Sequence, residues 1–228
     1  MMTTTQKSNL DFVIVALDFG SLAEAKEMVT SLPEATFFKV GMELFYGAGA
    51  EVLNFLRTQN KKIFLDLKLN DIPNTLRGAV RSLSVYRPEL LTLFTGADGI
   101  TAALAGLSDA ANDRTKLLNV TVLTSSALEN ASSEVLLRAQ ESQRAGAHGI
   151  VSSAQETSLV RNELGSDLLI VNPGIRPEGA EVQDQKRVAT PRQAFDAGAS
   201  HIVVGRPITQ SPDPAAAFGE IVRSLSQV

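Results

Sequence analysis

The chain has 228 residues, of which 44% are hydrophobic and 20% charged, a composition typical of a globular α/β protein. It contains no cysteine, which excludes disulfide bonds, thiolate metal sites and a cysteine nucleophile. With 25 acidic and 21 basic residues, no tryptophan and two tyrosines, it lacks the basic surface and stacking aromatics of a nucleic-acid-binding protein.

The amino-terminal residues 1–10 form a polar tail without the apolar core of a signal peptide. No stretch approaches the roughly 20 apolar residues that a membrane-spanning helix needs. We therefore expect a cytoplasmic protein, with residues 1–228 forming a single domain.

Eight apolar segments predict buried strands, and each is followed by a helical pattern. The predicted strands are 13–17, 37–41, 63–68, 90–94, 117–124, 149–153, 168–171 and 201–204. Ser21, with Glu24 three residues later, predicts the start of the first helix through a capping box. A later helix runs through Arg161. The other predicted helices are 47–59, 74–86, 97–111, 132–145 and 214–226.

Regular alternation of strands and helices predicts right-handed crossovers and a parallel sheet. Eight such units in a chain of this length favour a closed (β/α)₈ barrel. The alternative is a doubly wound open sheet, which usually has fewer strands and a glycine-rich nucleotide motif. The sequence contains no G-x-G-x-x-G, Walker or G-x-S-x-G motif.

The segment 66–75, DLKLNDIPNT, carries the strongest chemical signal. Asp66 and Lys68 lie on the same face of the third strand, and Asp71 follows where Pro73 ends the strand. An ammonium between two carboxylates is typical of a catalytic lysine held protonated and in place. The alternative is a solvated loop whose charges have no such role.

Other polar residues also fall at the carboxyl ends of predicted strands, where barrel enzymes place their chemistry. They are Asp18, Lys39, Thr124, Arg176, Gly205 and Arg206. Taken singly, Asp18 suits a helix cap, Lys39 a lysine reaching the surface, and Arg176 a loop charge. Their convergence on one barrel mouth favours a binding site.

Gly205 and Arg206 follow the eighth strand, in the region where barrels of this kind bind phosphate. Glycine lets backbone N–H groups approach an anion, and arginine adds a planar pair of donors. The polar segment 176–187 has no helical periodicity, so it suits either a loop that closes over a ligand or an ordinary surface loop.

The two histidines, His148 and His201, fall at the opposite end of the predicted barrel, and we interpret both as structural. Because no histidine clusters with carboxylates, we expect no metal site.

Seven motifs, in order along the chain, make the sequence resemble the orotidine 5′-phosphate decarboxylase family over essentially its whole length. They are ALDF at 16–19, KVGMELF at 39–45, DLKLNDIPNT at 66–75, VTVLTS at 120–125, PGIR at 173–176, DQKRVATP at 184–191 and VVGRPI at 203–208. The resemblance implies a homodimeric barrel that converts orotidine 5′-phosphate to uridine 5′-phosphate and CO₂. This is the last step of de novo pyrimidine nucleotide synthesis, and it uses no cofactor or metal.

The resemblance also implies roles for the residues of the central segment. Lys68 is the proton donor to C6 of the pyrimidine, and Asp66 lies beside the departing carboxylate. Asp71 reaches in from the partner subunit together with Ile72 and Thr75, so that active sites are shared between the two chains.

Around this centre, the resemblance places the remaining substrate contacts. Lys39 and Asp18 bind the ribose side, and Lys39 also pairs with Asp66. The pyrimidine is contacted by Thr124. The phosphate region is formed by Arg206, Gly205, Gln185 and Arg176.

Phe94 departs from the family pattern, because many members have a histidine at the matching position after the fourth strand. Two other functions remain open. Related barrels that decarboxylate or condense keto-sugar phosphates share the Asp-x-Lys-x-x-Asp pattern but use Mg²⁺. A non-catalytic nucleotide-binding barrel is the other alternative.

Overall fold

The computed structural model describes residues 9–122, 131–178 and 187–226. Eight parallel strands form a closed barrel in sequence order, and the eighth pairs with the first. The strands are β1 Val13–Leu17, β2 Phe37–Gly41, β3 Lys62–Leu69, β4 Leu90–Leu93, β5 Lys116–Val120, β6 Gly149–Val151, β7 Leu169–Asn172 and β8 His201–Val204. The predicted (β/α)₈ barrel is therefore confirmed.

Helices surround the barrel. They are α1 Leu22–Ser31, α2 Met42–Ala48, α3 Glu51–Thr58, α4 Pro73–Leu83, α5 Ala97–Asp109, α6 Ala131–Arg144, α7 Ala154–Leu164, α8 Pro191–Asp196, α9 Arg206–Thr209 and α10 Pro214–Ser224. In the part of the chain that the structure describes, none of them has the length and apolarity to cross a bilayer.

The main differences from the sequence prediction concern three helices and the fifth strand. The helix predicted at 47–59 begins only at Glu51, as α3, and α2, which ends before Gly49 with its φ of 59°, was not predicted. The short helices α8 and α9 were not predicted. The predicted fifth strand extended to residue 124, but β5 ends at Val120 and residues 123–130 lie outside the described residues.

Alternate residues of the strands point into the barrel and fill it. The buried interior layer consists of Ile14, Ala16, Phe37, Phe64, Leu90, Leu118, Val171 and Val203. The intervening strand residues, such as Leu65 and Leu91, pack outward against the helices in the larger core. The barrel is therefore a packed core, and a site can form only above its interior layer, at the mouth.

The pairing of β3 with β4 is irregular at the barrel mouth. Leu65 is opposite Leu91, but the next paired residues are Leu69 and Leu93, so two extra residues of β3 are accommodated between these points. Lys68 lies within this bulge with a φ of 48°, a left-handed conformation that is unusual for lysine. The bulge thus lies in the segment that carries the predicted catalytic charges.

Both histidines lie at the amino-terminal end of the strands and bond to the backbone. His148 Nδ1 accepts a hydrogen bond from the Leu117 N–H at 3.1 Å, and His201 Nδ1 lies 3.0 Å from the carbonyl oxygen of Asp11. Burial lowers the pKa of each imidazole. These contacts fit the structural role predicted for both residues.

Helices α4 and α5 pack at close range because of Gly106. A Cβ atom at this position would lie 2.5 Å from the Arg77 carbonyl oxygen and 3.2 Å from the Cβ of Val80. Neither atom belongs to a flexible side-chain end, so the two helices would have to separate. Helix α4 begins within the segment 66–75, so this packing contact involves the helix that continues from the predicted catalytic segment.

We therefore expect Gly106→Ala to lower the free energy of unfolding by about 1–3 kcal/mol through overpacking. The control is Gly219→Ala in α10, where the added Cβ would meet only the end of the Arg223 side chain. That change should be neutral or stabilise by roughly 0.5–1 kcal/mol, since alanine favours helix. Urea denaturation of both variants measures the difference, and equal stability of the two would contradict the close-packing explanation.

Candidate active site

A cavity of about 570 Å³ opens at the carboxyl ends of the strands. Its floor includes Phe64 and Val203 of the interior layer. Predicted site residues from five strands or strand ends line its wall: Asp18, Lys39, Asp66, Lys68, Arg176, Gly205 and Arg206. The predicted convergence of these residues is therefore present in the structure.

Lys68 and Asp66 form an ion pair in the cavity wall. The Lys68 Nζ lies 2.8 Å from Asp66 Oδ1 and 2.9 Å from Oδ2, so the ammonium bridges the whole carboxylate. The side chains are 30% and 15% exposed, respectively. Charges this close interact more strongly in a partly enclosed site than in bulk water, and the pair fixes the position of the ammonium.

Thr92, on β4, was not among the residues that the sequence pattern indicated. Its hydroxyl donates to Asp66 Oδ1 at 2.9 Å and accepts from the Lys68 backbone N–H at 2.8 Å. Threonine is a common β-branched residue in strands, so the sequence gives no indication that Thr92 bonds to both Asp66 and Lys68.

A second ion pair lies on the neighbouring strands. The Lys39 Nζ is 2.7 Å from Asp18 Oδ1, with the lysine side chain 11% exposed and the aspartate 62%. In the sheet register, Lys39 is opposite Ala16 on one side and Phe64 on the other. Asp18 and Asp66 each follow these partners by two residues, so Lys39 stands between them.

The implied contact of Lys39 with Asp66 is wrong for this structure. Within the described residues, no ion pair joins these two side chains, and Lys39 pairs with Asp18 instead. The physical reason is that both oxygens of Asp66 already accept hydrogen bonds from Lys68. Asp18 offers the lysine an equivalent position on the other flanking strand without that competition.

Asp71, Ile72 and Thr75 do not join the cavity of their own chain. All five residues from 71 to 75 are exposed, and Ile72 exposes 66% of its surface. Asp71 Oδ1 accepts a hydrogen bond from the Ile72 N–H at 2.7 Å, and among the described ion pairs it has none with Lys68. In its own chain, the carboxylate that contacts Lys68 is therefore that of Asp66.

The side of the cavity formed by β7 and β8 carries the arginines. Arg176 is 8% exposed, and its Nη1 donates to the Ile175 carbonyl oxygen at 2.9 Å. Gly205 is followed directly by Arg206, where α9 begins. A Cβ at Gly205 would lie at ordinary contact distances, 3.5 Å from Ala16 and 3.7 Å from Asp18. Protein packing therefore does not require this glycine, and its bare backbone faces the cavity.

Two predicted residues, Thr124 and Gln185, lie outside the described residues, as does part of the segment 176–187. The described flanks of that segment are held at the rim. The Arg176 N–H donates to the Ala189 carbonyl oxygen at 2.9 Å. Arg187 is buried against Glu156 of α7 in an ion pair, and burial lowers the pKa of its guanidinium.

Phe94, the departure from the family pattern, does not line this cavity. It follows β4, donates its backbone N–H to the Leu69 carbonyl oxygen at 2.9 Å, and faces a separate surface pocket with Asn70 and Thr95. Across the described ranges, no three His, Asp or Glu side chains are grouped closely enough to hold a metal ion.

Comparison with known proteins gives a consistent result. A family model described as "Orotidine 5′-phosphate decarboxylase / HUMPS family" matches residues 11–221. The orotidine 5′-phosphate decarboxylase of Staphylococcus haemolyticus is 43% identical over 226 residues, covering 94% of this chain and 98% of the relative. That of Thermosynechococcus vestitus is 41% identical over 236 residues, covering 98% and 100%.

Solved structures give the same result. The crystal structure of orotidine 5′-phosphate decarboxylase from Lactobacillus acidophilus superposes with a TM-score of 0.83 at 37% identity, covering 94% of this chain and 99% of that one. The enzyme of Pyrococcus horikoshii, at 24% identity and a TM-score of 0.78, shares the fold. The comparisons confirm the resemblance seen in the sequence motifs.

The geometry predicts that Gly41 is needed for the Lys39–Asp18 pair. An added Cβ at Gly41 would lie 2.9 Å from the Lys39 Nζ and 3.4 Å from Asp18 Oδ1. Because the lysine end is flexible, Gly41→Ala should move the ammonium beyond hydrogen-bond reach of about 3.2 Å while leaving the melting temperature nearly unchanged. A crystal structure and thermal unfolding measure the two effects.

The control is Gly20→Ala, another glycine at the mouth, whose Cβ would approach nothing closer than Glu43 Oε1 at 3.8 Å. This variant should keep the Lys39–Asp18 contact. An intact contact in Gly41→Ala would show that the pair tolerates a methyl group there.

Proposed function

The chain belongs to the orotidine 5′-phosphate decarboxylase / HUMPS family, and we propose that it converts orotidine 5′-phosphate to uridine 5′-phosphate and CO₂ without a metal or cofactor. This is the last step of de novo pyrimidine nucleotide synthesis. The observation that carries the proposal is the Lys68–Asp66 pair, held in the same cavity as Arg176, Gly205 and Arg206. A cytoplasmic location stays a prediction.

The chemistry of this substrate explains why a fixed ammonium suits it. When the bond between C6 and the carboxylate breaks, the electron pair stays on C6 in the plane of the ring, where the π-system cannot delocalise it. The protein must stabilise this localised negative charge electrostatically. A positioned cation in a partly enclosed cavity does so without reorganisation during the reaction.

In the proposed mechanism, the Lys68 ammonium faces C6 and then gives it a proton. The C6–H bond forms as the N–H bond breaks, CO₂ leaves, and neutral Lys68 is protonated again from water. Asp66 holds the Lys68 ammonium in place before the reaction through the two contacts at 2.8 and 2.9 Å. Asp66 also lies beside the substrate carboxylate, so its repulsion is relieved when that carboxylate departs.

The phosphate end of the substrate is proposed to bind on the opposite side of the cavity. Arg206 supplies a planar pair of donors, Gly205 a backbone that an anion can approach, and Arg176 further positive charge. We propose that Gln185 also holds the phosphate. These phosphate contacts lie away from C6. Their binding energy supports the reaction by holding the pyrimidine in place.

On the remaining sides, Asp18 and Lys39 are proposed to bind the ribose, and Thr124 the pyrimidine. Lys39 and Asp18 fix each other's polar atoms at 2.7 Å, which leaves the exposed side of Asp18 open to a sugar hydroxyl.

We also propose a homodimer with shared active sites. The supporting observation is the exposed segment 71–75, in which Asp71 and the apolar Ile72 do not line the cavity of their own chain. A two-fold interface is reciprocal, so a segment that enters the partner's site receives the same segment in return. Each site then combines Lys68 of one chain with Asp71, Ile72 and Thr75 of the other.

The first experiment is a spectrophotometric assay of orotidine 5′-phosphate turnover by the native chain and by Lys68→Ala. Loss of the proton donor and fixed charge should lower kcat by about 10³-fold or more with the fold intact. The matched control is Lys26→Ala, which removes a lysine that is also ion-paired but lies outside the cavity. It should keep native activity.

Native kcat in Lys68→Ala would contradict the proposed proton donor. Turnover that EDTA abolishes, or turnover only of a keto-sugar phosphate, would favour the Mg²⁺-dependent alternative. Nucleotide binding without any turnover would identify a non-catalytic barrel.

The shared site is tested by co-expressing Lys68→Ala with Asp71→Ala, each inactive alone. In a mixed dimer, one site receives both lesions and the other receives native Lys68 and native Asp71. Random pairing makes about half of the dimers mixed, so activity should recover to roughly a quarter of native.

The control pair is Lys68→Ala with Asp66→Ala, since these two residues contact each other within one chain. Their mixed dimers contain no intact site and should stay inactive. If isolated mixed dimers of the Lys68→Ala and Asp71→Ala chains show no recovery, Asp71 does not act across the interface.

A further inference from the structure

The hydroxyl of Thr92 lies at the bulge where the pairing of β3 and β4 is irregular. Thr92 is the residue between Leu91 and Leu93, the two residues of β4 that flank the bulge. It is completely buried and is not among the residues that line the cavity. Its contacts are therefore with the protein and not with a bound substrate.

The bulge creates two needs that one hydroxyl meets. The left-handed conformation of Lys68, with φ at 48°, takes its backbone N–H out of the regular ladder, and a buried N–H without a partner is costly. Thr92 Oγ1 accepts from this N–H at 2.8 Å. The same oxygen donates to Asp66 Oδ1 at 2.9 Å, which fixes the rotation of the carboxylate that holds the Lys68 ammonium.

We propose that Thr92 is a positioning residue for the decarboxylation, acting through both Asp66 and Lys68. This inference rests on the proposed function. Thr92 ties the backbone of Lys68 and the side chain of Asp66 to a single atom on the neighbouring strand. The position of the Lys68 ammonium is thereby fixed in two ways, through the backbone of Lys68 and through the carboxylate of Asp66 that contacts it.

The observations separate this role from simple packing. Valine has nearly the same shape as threonine and would fill the same buried space, but it can neither accept from the Lys68 N–H nor donate to Asp66. Without these bonds the bulge and the carboxylate can shift, and small displacements of a catalytic group reduce rates strongly. The residues around Arg206, on the opposite side of the cavity, would be unaffected.

The test compares Thr92→Val, Thr92→Ser and Thr115→Val by steady-state kinetics with orotidine 5′-phosphate and by thermal unfolding. Thr115 is a matched control, because it is 1% exposed and precedes β5 at the far end of the barrel. Its hydroxyl donates to the Pro88 carbonyl oxygen at 2.6 Å and accepts from Asn112 Nδ2 at 2.8 Å. Both valine variants lose one donated and one accepted hydrogen bond, so both should melt at lower temperature.

We expect Thr92→Val to lower kcat by roughly 10- to 100-fold while KM changes less than about threefold, because misplacement affects the reacting centre and not phosphate binding. Thr92→Ser should restore kcat to within about threefold of native, since it keeps the hydroxyl. Thr115→Val should keep native kcat despite its lower melting temperature.

Native kcat in Thr92→Val, or an equal loss of kcat in Thr115→Val, would overturn the proposal. If Thr92→Val does not fold, Thr92→Cys replaces it, and its weaker hydrogen bonds should give a kcat between those of the serine variant and an inactive protein. A cysteine variant as active as native would equally overturn it. Absence of turnover by the native chain would instead defeat the proposed function, so the two failures are distinguishable.

Discussion

The contact between Lys68 and Asp66 depends on a local break in the regularity of the barrel. Partly enclosed charges are stable only when they are paired and hydrogen-bonded, and here the two charges come from the same strand, two residues apart. Below them, Phe64 pairs with Leu90 in ordinary register and closes the barrel floor. The register shifts only above this level, where the protein places the pair. The bulge therefore lets a rigid barrel carry a re-aimed side chain at its mouth.

The rest of the cavity is polarised around this pair. Strands β1 to β3 supply two lysine–aspartate pairs, whereas β7 and β8 supply arginines and a bare glycine backbone. Among the described residues of the wall, four cationic and two anionic side chains leave a surplus of two positive charges: Lys39, Lys68, Arg176 and Arg206 against Asp18 and Asp66. Such a surplus favours a ligand with several negative charges and orients it, with its most anionic end toward the arginines.

The sequence predicted the fold well because the signals for a (β/α)₈ barrel repeat. Strands β1, β2 and β8 have the predicted bounds, since apolar runs ended by polar residues mark both their burial and their ends. Helix α2 and its end before Gly49 were missed, although a glycine near the start of a predicted helix is a warning. Helix α8 was also missed, although Thr190, Pro191 and Gln193 form a capping box with proline at the first turn.

Seven of the predicted site residues line the cavity, but not all of their contacts with one another were predicted correctly. Alternation along a strand is enough to place Asp66 and Lys68 on one face. It cannot show which of the two flanking carboxylates Lys39 contacts, because that depends on the competition of Lys68 for Asp66. Nor does a sequence show that a lysine adopts a left-handed conformation, since the signal for that conformation is glycine or asparagine.

Under the proposed reaction, the geometry of the Lys68–Asp66 pair also gives a direction to the chemistry. Decarboxylation removes no net charge from the substrate at the moment of bond breaking, because the negative charge of the carboxylate becomes the electron pair on C6. The charge moves from a group beside Asp66 to an atom facing Lys68. With the ammonium and the carboxylate fixed at 2.8 Å, the negative charge moves from the repulsion of Asp66 toward the attraction of Lys68.

An interaction that improves only as the charge moves favours the transition state over the bound substrate, which is the requirement for catalysis. The same fixed distance would give no such preference if the pair could rotate, so the constraint at the bulge of β3 matters as much as the two charges themselves.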